Sequence, residues 1–476
     1  MTQNQLQKPL TDVRSVWLIG IKGTGMTPIA QILCRRGKTV GGSDVAEDFF
    51  TKEVLDALPV TIKNFTANNI TKNIDLVVYS TAYADDHVEL KKARELGIPA
   101  LSLPEMHKVL MEDKKSIAVA GTHGKTTTTS LIGYMLQQAD VDPTVIVGAP
   151  VPQFDGSALV GGSDFFVLEA CEYGKKFDHY LPKTLVLTNI DYDHPDVFSD
   201  RDAYVEEFIQ FALKIPSFGF IIANVDDINV QKVINRVSCE VVQYGSVPSA
   251  HWRIERDIQY AGSQAQGFII THQGNLWAKG ETDLIGHFNL LNILAAVVTV
   301  QKFGVSQDII LKAVKRFRAP KRRGEYKGTT KSGALVIDDF GHHPTELQAT
   351  FRALKEQYVD KELIAVFHPH TFTRTKELLS DFAQSFKDVD RAIVLDIYGS
   401  AREDKGGITT EDLVAAVTAV SHNAEYIPTM DEVYEELIDT VDEKHVIVTI
   451  GAGDVWQLAD KLTNHAYELP GKETTC

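Results

Sequence analysis

Residues 116–136 read SIAVAGTHGKTTTTSLIGYML. A short run of apolar and β-branched residues gives way to a glycine turn and then to an apolar helical stretch. The pattern is strand, phosphate-binding turn, helix. Gly121 and Gly124 let backbone amides approach an anion with no side chain between. Lys125 supplies charge for the β- and γ-phosphates, and Thr126 a hydroxyl for Mg²⁺. Thr122, His123 and Thr127 complete the candidate nucleotide-binding stretch. The following helix adds the positive end of its dipole. Two residues separate the glycines here, whereas the Walker A motif has four. A glycine turn in a surface loop would carry the same letters, but the strand before it and the apolar helix after it favour nucleotide binding.

Outward from this stretch, short apolar runs alternate with longer amphipathic ones, the pattern of α/β domains with parallel sheets. SVWLIG (15–20), DLVVYS (75–80), SIAVAG (116–121), FFVLEA (165–170), TLVLTNI (184–190), ALVIDDF (334–340), ELIAVFH (362–368), AIVLDI (392–397) and HVIVTIG (445–451) read as strands. Their near-continuous apolar character predicts burial on both faces. At about 150 residues per domain, 476 residues make roughly three. Charged and glycine-rich stretches, MEDKKS (111–116) and APKRRGEYKGTTKSG (319–333), divide the chain into 1–113, 114–320 and 321–476.

Forty-four per cent hydrophobic and 24% charged residues exclude a wholly disordered or collagen-like chain. A net charge of −16 argues against nucleic acid as the main partner. Four cysteines are too few for a disulfide framework, and Cys34, Cys171, Cys239 and Cys476 show no CxxC spacing, which argues against a zinc site. The polar N-terminus lacks a signal-peptide core. The longest apolar stretch, near 293–300, falls far short of the roughly 18 residues a membrane span needs. A cytoplasmic protein with no membrane partner is expected.

A second glycine loop, WLIGIKGTGM (17–26), follows the first strand, with Asp44 about 20 residues beyond it. Lys22 and Pro28 break the GxGxxG pattern, so dinucleotide binding is weakly supported. A diphosphate ligand, or simple strand–helix packing, fits as well. Beyond two central strands lie Glu169 with Glu172 in EACEY, and His194 in TNIDYDHPD. These are hard-oxygen and imidazole donors at the sheet mouth, where ligands bind in open α/β folds. Alone, His194 reads as a solvated loop histidine; with Glu169 and the phosphate loop, metal or phosphate contact is the better reading.

GIKGTGM, GGSD, GTHGKTTT, EACEY, TNIDYDHPD, GHFNLLN, IDDFGHHPTE, FHPHTFTRT and GAGD, spread over 20–454, together resemble the Mur ligases and most closely their alanine-adding branch. These are three-domain, ATP-dependent amide-forming enzymes of peptidoglycan synthesis. The resemblance implies a Rossmann-like N-terminal domain for the sugar nucleotide, a central P-loop ATPase-like domain, and a Rossmann-like C-terminal domain for the amino acid. It implies UDP-N-acetylmuramate and L-alanine as substrates, ATP and two Mg²⁺ ions as cofactors, and a monomer or homodimer. It assigns Gly23, Gly25, Met26 and Asp44 to the UDP moiety, and Lys125 and Thr126 to the phosphates and magnesium. Glu169 and His194 would hold magnesium, with Asn289 and Asn292 at the nucleotide base. His342 and Arg374 would face the reacting centre and the amino-acid carboxylate.

This sequence departs from the family pattern at several positions. Phe288 stands where histidine is usual, Phe340 where tyrosine is common, and Thr371 where part of the family has arginine. KRRGEY lacks the common phenylalanine after the arginine pair, and Ile209 lies where sister ligases carry a carbamylated lysine. Three other readings stay open: a recycling ligase that attaches a tripeptide to the same sugar nucleotide, an NAD-dependent oxidoreductase built on the first loop, and a non-catalytic nucleotide-dependent binding switch.

Overall fold

The computed structural model describes residues 9–257, 259, 265–399 and 406–464; Cys476 and the end of the segment DIYGSARE lie outside them. The described strands form three sheets in succession along the chain. The first has five parallel strands in the order Thr61–Lys63, Thr39–Ser43, Ser15–Ile19, Leu76–Tyr79, Ala100–Ser102. This is half of a doubly wound nucleotide fold, with the first glycine loop at its central strand.

The second sheet has ten strands, and Lys115–Ala120 lies inside it between Thr184–Leu187 and Phe165–Glu169, parallel to both. Its apolar run is buried because the sheet is covered on both faces. Here the expectation of parallel sheets is only partly met. Trp252–Arg256, Gln266–His272 and Asn275–Thr282 extend one edge as an antiparallel meander, and Gly156–Leu159 caps the other edge antiparallel. Trp252–Arg256 and Asn275–Thr282 are partly exposed and carry no continuous apolar run, while Gly156–Leu159 is buried but short. The third sheet has six strands, antiparallel only where Glu325–Thr329 pairs with Leu335–Asp339. Apolar clusters cover both of its faces.

The first two sheets share one apolar cluster, running from Val16 and Leu18 to Ala118 and Leu168. A polar pin reinforces this joint: the buried Gln31 side chain accepts from Ser157 N and Ala158 N, both at 3.0 Å. An unpaired amide there would cost about 1–3 kcal/mol.

The strand Lys115–Ala120 delivers the chain into the phosphate loop, and the helix Lys125–Gln138 leads it away. Gly121 adopts φ 144°, and a Cβ there would meet Thr188 Oγ1 at 2.0 Å. Gly124, the residue before the helix, adopts φ 80°, and a Cβ would meet Asn292 Oδ1 at 2.3 Å. The turn needs both glycines, one for close backbone approach and the other for left-handed geometry. Gly124→Ala combines a left-handed backbone cost of about 1–2 kcal/mol with a clash that displaces Asn292. We expect chemical denaturation to show a loss of at least about 1 kcal/mol and calorimetry to show weakened ATP binding. Retention of wild-type stability would contradict the steric argument.

Candidate active site

The mouth of the central sheet collects the loop's side chains. Lys125 Nζ donates to Gly121 O at 2.5 Å and Thr122 O at 2.9 Å, and meets Glu172 Oε2 at 3.2 Å. Burial opposes its charge, but Glu172 and Glu169 more than offset this and hold the ammonium above the ordinary lysine pKa. Thr126 Oγ1 donates to Glu169 Oε1 at 2.8 Å, and the other carboxylate oxygen accepts from Gly148 N at 2.6 Å. A hydroxyl and a carboxylate held this close are a fitting pair of hard donors for Mg²⁺. His194, at φ 57°, places Nε2 3.7 Å from Glu172 Oε1, so the second candidate metal position borders the lysine's own partner.

A cavity of about 880 Å³ runs from this loop to the third domain and is lined by His123, Gly124, Thr126, Thr127, Asn289 and Asn292 among others. Asn292 Nδ2 donates to Asn289 Oδ1 at 3.2 Å on the helix His287–Lys302, which positions both amides at the cavity wall. Phe288, 37% exposed, also lines it and offers an aromatic face where a histidine would offer nitrogen atoms. Arg323 enters from the third domain's first turn and donates to Thr126 Oγ1 at 3.2 Å. Its buried Nε has no hydrogen-bond partner among the described residues. An orphaned guanidinium N–H beside a phosphate loop fits an anionic ligand.

The third domain closes over the loop through polar pairs. Glu346 meets His123 Nδ1 at 3.1 Å, and Asp191 meets His123 Nε2 at 3.4 Å. Burial opposes the imidazolium, but Glu346 and Asp191 outweigh it and raise the pKa of His123 to about 9. Thr345 Oγ1 donates to Asp191 Oδ2 at 2.6 Å. Arg374 is not at the surface: it is buried, and its Nε donates to Asp193 Oδ1 at 2.9 Å. Burial works against the Asp193 carboxylate, but Arg374 holds it well below the usual range. The contacts of Arg374 NH1, to His370 O and Nδ1, are long at 3.3 and 3.4 Å.

His342 lies 3.1 Å, through Nδ1, from Phe340 O, which assigns the proton to Nδ1 and leaves the Nε2 lone pair exposed. Burial, reinforced by Arg374, lowers its pKa to about 3, so it is a neutral imidazole under ordinary conditions. Asp339, which lines the cavity and accepts from Gly324 N and Gly341 N, is raised to about 6 by burial.

The first glycine loop lies apart from this cluster. Asp44 accepts from Lys22 N at 2.7 Å and Val45 N at 2.9 Å, so its carboxylate supports the loop. Lys22 and Asp44 border a separate cavity of about 580 Å³. A Cβ on Gly25 would meet Leu103 at 2.6 Å, whereas one on Gly23 would meet only Gly20 O at 3.3 Å. Met26 is buried and its N donates to Gly23 O, which ties the loop to the start of the helix Thr27–Arg35.

Sequence reasoning gave no role to Asp193, Glu346 or Arg323. Only an acidic residue in TNIDYDHPD opposite the basic HTFTRT hinted at the first of these. The pairing spans 181 residues.

Comparison with known proteins places these features in a family. Models of the Mur ligase family match consecutive parts of the chain: the family's catalytic domain at 15–115, the Mur ligase middle domain at 119–300, and the Mur ligase, glutamate ligase domain at 322–453. The chain is 38% identical to the UDP-N-acetylmuramate--L-alanine ligase of Desulfitobacterium hafniense (strain Y51), covering 94% of this chain and 99% of that one. It is 37% identical to the protein of the same name from Caldanaerobacter subterraneus subsp. tengcongensis, covering 95% and 98%. Its fold matches UDP-N-acetylmuramate-alanine ligase MurC of Thermotoga maritima with a TM-score of 0.79 at 23% identity, covering 94% of this chain and 98% of that one. A murein peptide ligase of Psychrobacter arcticus matches with a TM-score of 0.71 at 25% identity, covering 96% and 100%.

The closed seam generates two predictions. His123 has its pKa raised to about 9, against 6.5 when free. Its contribution to stability is therefore full below pH 6.5 and is lost as pH rises through 9. At about 1.4 kcal/mol per unit that amounts to about 3 kcal/mol. Thermal melts from pH 6.5 to 9 should show stability falling in wild type, with a flatter profile in His123→Gln. Arg374→Ala strands Asp193 and should destabilise the closed form by about 3–5 kcal/mol. Asp193→Asn combined with Arg374→Gln should recover most of that loss in a double-mutant cycle. Equal losses in the single and double variants would refute the pairing.

Proposed function

We infer the activity from one premise: the chain belongs to the Mur ligase family. It is a UDP-N-acetylmuramate–L-alanine ligase, joining L-alanine to the lactyl carboxylate of the sugar nucleotide with cleavage of ATP to ADP and phosphate. It acts in peptidoglycan precursor synthesis, in the cytoplasm. Among the described residues no helix is long and apolar enough to cross a membrane. The observation that carries the reading is 38% and 37% identity, over nearly the whole chain, to relatives of that name, in a chain whose phosphate loop and Arg323 border one cavity.

A carboxylate is a poor electrophile, so amide formation needs activation. The γ-phosphoryl group of ATP passes to the lactyl carboxylate, the alanine amine attacks the acyl phosphate, and phosphate leaves. Two anions must meet in the first step, and Lys125 with Arg323 reduces their repulsion. Thr126 and Glu169 would hold one magnesium ion and His194 a second, which would supply further positive charge there. Asn289 and Asn292 support the nucleotide from the cavity wall. Arg374 holds the alanine carboxylate by its NH1 edge while keeping Asp193. His342 presents a neutral lone pair to the reacting centre, and closure of the third domain excludes water that would hydrolyse the acyl phosphate. The UDP moiety lies on the backbone of Gly23, Gly25 and Met26 beside Asp44. Domain limits near 113/114 and 320/321 follow the charged stretches. The assembly is a monomer or homodimer.

The test is phosphate release with ATP and UDP-N-acetylmuramate, scanned over L-alanine, L-serine, glycine and the tripeptide L-alanyl-γ-D-glutamyl-meso-diaminopimelate. L-alanine should give the highest kcat/KM, with no release in the absence of an amino acid. Preference for the tripeptide would establish the recycling ligase instead. Lys125→Ala should lower turnover by orders of magnitude while calorimetry shows sugar-nucleotide binding retained. Comparable loss of sugar-nucleotide affinity would refute two separate sites.

A further inference from the structure

Beside the phosphate loop, sharing none of the donors given to magnesium, three groups converge. His123 Nε2 lies 3.4 Å from Asp191 Oδ2, and His343 Nδ1 lies 3.6 Å from the same oxygen. One ligand atom from each of the three lies within 4.8 Å of the others. A tetrahedral zinc ion with bonds of about 2.0–2.2 Å sets neighbouring donors about 3.3–3.6 Å apart. The outer contacts match as well. A ligating histidine almost always gives its other ring N–H to a carboxylate or a backbone carbonyl. His123 faces Glu346 with Nδ1, and His343 faces Tyr192 O with Nε2 at 3.1 Å. At His343 the outward Nε2 holds the proton and Nδ1 keeps a lone pair, which Thr345 N now meets; at His123 the ion would take the place of the proton that lies between Nε2 and Asp191.

We propose that His123, Asp191 and His343 form a binding site for a zinc-like divalent cation that clamps the third domain onto the phosphate loop. Two ligands come from the central domain and one from the third, so the ion would bridge the seam that must open for turnover. Two imidazoles and one carboxylate suit zinc better than magnesium, which prefers oxygen donors. The existing contacts leave room for this. His343 Nδ1 accepts from Thr345 N at a long 3.3 Å, and the helix Pro344–Gln357 keeps a second cap through Glu346, which accepts from His342 N and His343 N. Thr345 Oγ1 occupies one side of Asp191 Oδ2, with the second carboxylate oxygen still to offer. A water molecule completes four-coordination, since Asp191 keeps 36% of its side chain exposed.

The experiment is equilibrium dialysis of the full chain against zinc chloride in saturating magnesium at pH 8, without substrates, so its result does not depend on the ligase reading. Wild type should retain one zinc ion per chain. His343→Asn keeps the helix cap and removes the imidazole. It should bind at least about 100-fold more weakly, and zinc should raise the melting temperature of wild type only. Asp191→Asn serves the same comparison if His343→Asn does not fold. In turnover assays zinc should slow wild type and leave His343→Asn at its own zinc-free rate. Absence of zinc uptake by wild type in excess magnesium, or uptake by His343→Asn with unchanged affinity, would overturn the site. Equal inhibition of both proteins would overturn the clamp.

Discussion

An ammonium buried at the end of a parallel sheet requires compensation, and the way Lys125 obtains it organises the central domain. Its Nζ takes two loop carbonyls and Glu172. Glu172 is almost fully buried and also accepts from Tyr204 on the helix Arg201–Ala212, while His194 stands 3.7 Å away. One carboxylate thus ties together the loop, a helix and the histidine segment. Removing either charge would leave the other stranded in a low-dielectric pocket, which costs far more than a surface pair contributes. The lysine stays charged before any nucleotide arrives, so a polyphosphate meets a prepared cation.

The two seams between domains differ in chemistry. Between the first and second sheets an apolar cluster runs through without a break, pinned by Gln31. Between the second and third, charges interleave: Asp191 and Asp193 face Thr345, His343 and Arg374, while Glu346 returns the compliment to His123. Opening an apolar joint exposes hydrocarbon to water. Opening a polar one exchanges protein partners for solvent at much lower cost, as in the more mobile interfaces between domains. Of these two joints, the one between the second and third sheets is therefore the less costly to open.

All nine strands read from sequence are strands in the structure, because buried parallel strands must be apolar along their whole length. TVGGS (39–43), TIK (61–63) and NLWAKGET (275–282) carry no such signal, the last two being edge strands. They are short, glycine-bearing or half-exposed, and carry no run. In the site, Gly121, Gly124, Lys125 and Thr126 were legible because a phosphate loop is local: strand, turn and helix are adjacent in the chain. Glu172 was noticed but given no partner. The roles of Arg323, Asp193 and Glu346 were not legible, since they arise from contacts 197, 181 and more than 200 residues away, and at most the acidic TNIDYDHPD pointed toward Asp193. Single-sequence periodicity carries no information about such distances. Arg374 shows the limit best. Its motif marked it as a carboxylate holder, and it is one, but the carboxylate it holds here belongs to the protein.

A chain carrying a net charge of −16 that takes two polyanionic substrates needs an account of its electrostatics. Net charge acts at long range, and at physiological ionic strength it is screened over about 8 Å. The cavity wall carries both signs, with Arg318, Lys321 and Arg323 standing among seven carboxylates, so positive charge is a local property of the phosphate loop, where Lys125 and Arg323 lie. The three cations of the wall lie on the segment entering the third sheet, and Arg323 touches Thr126 only because that segment is folded over the loop. Part of the positive potential at the nucleotide is thus lent by a neighbouring domain. An anion at the loop would therefore meet Arg323 only while that segment stays folded over Thr126.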